Sequence, residues 1–105
     1  MTEADLPKVV VYTKTATDDL QFNLTIGGDQ KPIWLREANI HCLTNNALYG
    51  DVYDQPAAFN TGDVISFQDF NLTDLWFKNA TAGSNTVIRC VGVVMSAKRR
   101  RELGI

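Results

Sequence analysis

Along Asp19–Ile26 hydrophobic and polar positions alternate. Leu20, Phe22, Leu24 and Ile26 are interleaved with Gln21, Asn23 and Thr25. A period of two puts successive side chains on opposite faces of an extended chain, so this segment predicts a strand with one buried and one wetted face. Gly27-Gly28-Asp29 then closes a turn. A second pattern runs through Leu75–Val94. Trp76 and Phe77 end one strand, and Lys78–Asn85 is a turn region in which Asn79, Gly83 and Asn85 tolerate positive φ. Thr86–Val94, rich in β-branched residues, is long enough to cross a sheet.

The same signals recur along the chain. Lys8–Thr13 predicts a first strand. Pro32–Glu37 predicts another, with Pro32 at its first position, where no ladder hydrogen bond is lost. Asn39–Thr44, Ala47–Val52 and Val64–Phe67 are further strand segments. Asn45-Asn46 and Thr61-Gly62-Asp63 read as turns, and Asp54–Asn60, with Pro56, as a loop. Gln68–Thr73 fits either strand or loop. The body has no amphipathic helix. The prediction is an all-β chain: an antiparallel β-sandwich, jelly-roll-like, of about eight short strands. Leu20, Phe22, Leu24, Ile26, Val64, Phe67, Phe77, Val87, Val91 and Val93 are the expected core. Residues 1–7 are expected to be a flexible lead-in, residues 8–95 the single domain, and residues 96–105 a basic tail with helix-compatible composition and little apolar face to hold it.

Composition agrees with one packed domain: 105 residues, 45% of them hydrophobic and 21% charged. The charge is uneven. Residues 1–97 carry six basic and eleven acidic side chains, and residues 98–105 set Lys98, Arg99, Arg100 and Arg101 against Glu102. An acidic body with a basic end can self-associate through that end or dock it on an acidic partner, which makes Lys98, Arg99, Arg100 and Arg101 candidate assembly contacts. The acidic body argues against specific nucleic-acid binding, which needs a broad positive surface. No apolar run is long enough for a membrane-spanning helix. The polar, acidic start, Met1–Pro7, lacks the order of a secretion signal, so synthesis in a cytoplasm is expected.

Chemistry-bearing residues are sparse. His41, the single histidine, stands between Ile40 and Cys42 with its side chain on the opposite face, and reads as a surface or interface residue. A β-barrel metalloenzyme of the cupin type would need several histidines and a carboxylate about one metal. Cys42 and Cys90 match no zinc or redox spacing and read as buried free thiols. The aspartates fall mostly at turns, where the side chain bonds nearby amides. Asp51 and Asp54 have the ligand type of a calcium loop without its Gly-containing ligand ladder. Asn23, Asn71 and Asn79 each open an Asn-X-Thr triplet, a coincidence in an Asn/Thr-rich β protein. No catalytic, metal or cofactor site is expected. Trp34, Tyr49 and Trp76 could form a ligand-stacking platform, as in a carbohydrate-binding β-sandwich; core packing is the simpler role for the tryptophans.

Two stretches carry a resemblance. Thr61-Gly-Asp-Val-Ile-Ser-Phe67, followed by Leu75-Trp-Phe-Lys-Asn-Ala-Thr-Ala-Gly-Ser-Asn-Thr-Val87, resembles the C-terminal halves of small β-sandwich structural proteins from tailed-bacteriophage virions. The resemblance implies a non-enzymatic role in a virion, as a head decoration, fibre or spike, or minor capsid protein. It implies partners that are other copies of the chain, a homotrimer above all, and other virion proteins.

Overall fold

The computed structural model describes residues 8–24 and 32–105. Seven strands are formed: β1 (Val9–Thr15), β2 (Trp34–Thr44), β3 (Ala47–Gly50), β4 (Ala57–Phe59), β5 (Val64–Asn71), β6 (Trp76–Asn79) and β7 (Val87–Val94); a helix α1 (Ala97–Leu103) follows. All pairings are antiparallel. One sheet has the order β1-β7-β2-β5 and the other β4-β3-β6. Phe22 adds a single antiparallel bridge to the free side of β6, exchanging both backbone hydrogen bonds with Phe77 at 2.8 Å. With the Phe22 segment counted as the fourth member, the sheets read β1-β7-β2-β5 and Phe22-β6-β3-β4. This is the strand order of a jelly roll, and the all-β sandwich is as expected.

The core lies between the sheets. Leu35, Ile40, Ile88 and Cys90 from one sheet meet Phe59 and Phe77 from the other, and Leu72 closes one end; all are fully buried. Phe77 sits between Phe22 and Phe59 at centroid distances of 5.9 and 6.1 Å, and Tyr49 meets Phe59 edge-on.

Several expectations are corrected. In the described part of the alternating Asp19–Ile26 segment, residues 19–24, only Phe22 pairs, through a single bridge. Leu20 is 71% exposed, Asn23 is buried beside Phe22 and Leu24, and Ile26 lies outside the described residues. The cause is local polar chemistry. Asp18 Oδ1 accepts from the Leu20 amide, and Asp19 is drawn to the turn before β7, so residues 17–20 bend instead of extending. The two segments expected on either side of Ala38 are one eleven-residue strand, β2, with a bulge at Arg36. Ala47–Gly50 is a central strand, and the expected loop around Pro56 contains β4.

The facing of β5 and β7 also differs. Ile88, Cys90 and Gly92 point inward, so Val91 is exposed and Val87 and Val93 are half-buried on the outer face. Ile65 and Phe67 point inward, and Val64 is exposed. In β5 the polar Ser66 and Gln68 share the parity of Val64 and mark its outer side, whereas β7 carries apolar residues at both parities. Arg89, at the parity of Val87, Val91 and Val93, is the residue that marks the outer side.

Candidate assembly surface

The outer face of the four-stranded sheet divides into an apolar and a polar half. Register places Val9 beside Val93 and Val11 beside Val91 on β1 and β7. Val9 is 62% and Val11 58% exposed. Further across, Glu37 and Asn39 of β2 face Gln68 and Ser66 of β5. The Ser66 hydroxyl donates to Asn39 Oδ1 at 2.6 Å. A shallow depression of about 450 Å3 lies between the two halves, lined by Val9, Val91, Val93, Asn39, Ser66 and Gln68. His41 lies on this same face, beside Arg89 and Val64 and half-buried, as its position between two buried residues implied. β-branched side chains favour strand formation here, but nothing among the described residues covers them. Val9, Val11 and Val91, with half-buried Val93 beside them, thus form a contiguous apolar stripe that is open among the described residues.

The C-terminal basic segment is an ordered helix. Ser96 caps it by accepting from the Arg99 amide, and Gly104, at φ 76°, ends it with hydrogen bonds back to the last turn. Those two caps supply what the thin apolar face cannot. No residue of α1 is buried. Of the four candidate contacts, Arg99 is taken up within the chain. Its Nη2 lies 2.8 Å from Asp69 and its Nη1 3.5 Å from Glu102. Asp69 adopts a left-handed backbone (φ 50°) within β5, and its carboxylate meets Arg99 of the helix. The hydrogen bond from Arg99 holds the Asp69 carboxyl below the ordinary value, with the charges of Arg99 and Arg36 assisting. Lys98, Arg100 and Arg101 are exposed and form no ion pair with a described residue.

The three rings of the stacking platform are not brought together. Tyr49 packs inward on Phe59. Trp34 lies beside Phe67 and Phe70, whose rings stack at 4.9 Å. Trp76 is on the outer side of β6 and shares a separate depression with Tyr53, Asp51 and Asp74. Tyr53, which sequence reasoning passed over, is 92% exposed. Its only signal was an aromatic residue between two turn-forming aspartates. Asp51 Oδ1 accepts from the amides of Tyr53 and Asp54, so this carboxylate organises the loop.

Both cysteines are buried and unpaired. Burial pushes the Cys90 thiol up to about 11, and raises Cys42, whose Sγ donates to the Asn45 carbonyl. Among the described residues no group of three His, Cys, Asp or Glu side chains is placed to hold a metal, and no helix is long and apolar enough to cross a membrane.

The fold and surface thus define a jelly-roll β-sandwich with an open valine stripe and a capped basic helix. Comparison with protein-family models, with curated proteins and with solved structures finds no match to this chain.

Proposed function

We propose that this protein is a non-enzymatic structural component of a tailed-bacteriophage virion, a head decoration, fibre or spike, or minor capsid protein, which works as a homo-oligomer in contact with other virion proteins. The observation that carries the reading is the valine stripe Val9, Val11, Val91 and Val93, left open on an otherwise regular sheet face. Their β-branched shape favours the strand in a monomer as well, but only a subunit in an assembly also removes their apolar surface from water. The jelly-roll order supports the reading by analogy alone, since that fold serves capsids, lectins and enzymes alike. The phage likeness of Thr61–Phe67 and Leu75–Val87 points the same way. Lys98, Arg100 and Arg101 offer a positive patch to the acidic body of a neighbour, which sets orientation more than it adds affinity.

Light scattering at micromolar concentration tests the assembly. A mass of two or more subunits supports it, and a monomer refutes it. Immunogold labelling of purified virions tests the location. A second reading, carbohydrate binding, retains the Trp76–Tyr53 depression as its support. Saturable glycan binding abolished by Trp76→Ala, from a monomeric protein, would favour it.

A further inference from the structure

We infer that β1 is the pairing edge of the subunit, joining the β1 of a second copy antiparallel about a two-fold axis near Tyr12; this rests on the proposed assembly role. The Lys8 carbonyl accepts from Val94, and the Ala16 amide donates to Thr86, both at 2.8 Å. In an antiparallel ladder, bonded positions alternate. Val10, Tyr12 and Lys14 therefore direct their amides and carbonyls to β7, and Val9, Val11, Thr13 and Thr15 direct theirs to the open side. No other described strand pairs there. Seven residues of unbroken strand, without proline or bulge, present this row.

The other three edges are blunted. β5 carries the left-handed Asp69 and the helix latched to it through Arg99. β4 has three residues and follows Pro56. The Phe22 segment makes one bridge and is bent before it. Edges left regular invite pairing, and those to be kept free are bulged, shortened or covered. A fold that blunts three edges and leaves the fourth, a seven-residue strand, regular has a use for it.

The strand is complementary to itself. With full overlap, Val9 faces Thr15 and Val11 faces Thr13 of the second copy, so every outward amide and carbonyl finds a partner. On the inner side Tyr12 meets Tyr12, and Lys14 meets Val10, so no like charges are opposed. The valine stripes of the two copies then continue across one eight-stranded face.

Val11→Pro removes a donor that β7 does not use and places a ring in the junction, so it strikes the pairing and spares the β1–β7 ladder. Sedimentation equilibrium of the full chain is expected to give an even-numbered assembly, with the affinity lost at least tenfold in Val11→Pro at unchanged circular dichroism. Tyr12→Cys supplies a second readout. Facing, non-hydrogen-bonded positions suit a disulfide, so in a Cys90→Ala background, which removes the native thiol in register with position 12, oxidation is expected to cross-link this variant into a dimer while Lys14→Cys stays uncross-linked. An assembly of odd number, or one untouched by Val11→Pro with no Tyr12→Cys cross-link, overturns the β1 contact and leaves the proposed function standing. A wild-type monomer overturns both.

Discussion

Asn79→Ala probes the polar joint that ties the two sheets together at one end of the sandwich. Asn79 is 8% exposed. Its Nδ2 donates to the Asp18 carbonyl at 3.2 Å and to Asp19 Oδ1 at 3.0 Å, and its Oδ1 accepts from the Thr86 amide at 3.0 Å. One side chain thus ties the segment after β1, the end of β6 and the start of β7. Thr86 is fully buried, so truncation leaves its amide without a partner, which costs about 1–3 kcal/mol. With the lost bond to the Asp18 carbonyl, the total is about 3 kcal/mol, a large share of the ~5–15 kcal/mol that holds such a domain. At ~4–8 °C per kcal/mol, the melting temperature falls by roughly 12–24 °C. Calorimetry and urea titration measure both quantities. Asp19 adds a pH signature. The Asn79 and Gly83 hydrogen bonds hold its carboxyl below the ordinary value. A depressed carboxylate contributes stability above its unfolded pKa and loses it as pH falls through the lower folded value. In Asn79→Ala this acid-side loss shrinks, because the largest cause of the shift is gone. A variant within about 1 kcal/mol of wild type would refute the reasoning, because an unmet Thr86 amide alone costs that much.

Further outcomes follow from other contacts. Gly50→Ala places a Cβ 2.2 Å from the Asp54 carbonyl oxygen and 2.9 Å from the Gln55 Cα; backbone must move, and a loss of about 3 kcal/mol is expected by urea titration, at the upper end for overpacking. Asp69→Asn releases Arg99, and faster amide exchange confined to α1 is expected with the sheets unchanged. In the wild type the same release occurs on acidification to below the ordinary carboxylate range, since a carboxyl held low keeps its partner until its folded pKa is passed, and the variant lacks that step. Cys90, raised from an ordinary 9.0 to about 11, is expected to react with a thiol reagent only on unfolding; as pH rises from about 9 toward 11 the unfolded thiol ionises first, so stability measured by urea titration falls across that window. Cys42→Ser and Cys90→Ser are expected to cost about 1–3 kcal/mol each and nothing else, because the hydroxyl is buried in place of an apolar sulfur.

The sequence by itself determined the class of fold. β-branched runs separated by Gly, Asn and Asp turns leave an all-β sandwich as the answer, because strand propensity and turn chemistry are local properties. The inert, buried state of Cys42 and Cys90 and the outward facing of His41 were legible for the same reason. Tertiary structure decided the rest. Leu20–Ile26 has the clearest alternation in the chain, yet the hydrogen bonds of Asp18 and Asp19, reaching to residues as distant as Gly83, bend its start. Such bonds leave no mark in a local period. The facing of Val91 and Val93 depends on which parity meets the second sheet, and β7, apolar at both parities, carries only Arg89 as a mark of it. Candidate sites divided in the same way. Lys98–Arg101 was visible as a charge run, but Asp69, thirty residues earlier in the chain, decides that Arg99 is spent inside the subunit. Trp34, Tyr49 and Trp76 share a residue class and not a surface, because each strand's position in the sandwich, rather than its composition, sets where its rings point. The open β1 edge belongs wholly to the tertiary structure: whether a strand is central or lateral is a property of the sheet, and only the completed sheet leaves the amides of Val9, Val11, Thr13 and Thr15 without a partner among the described residues.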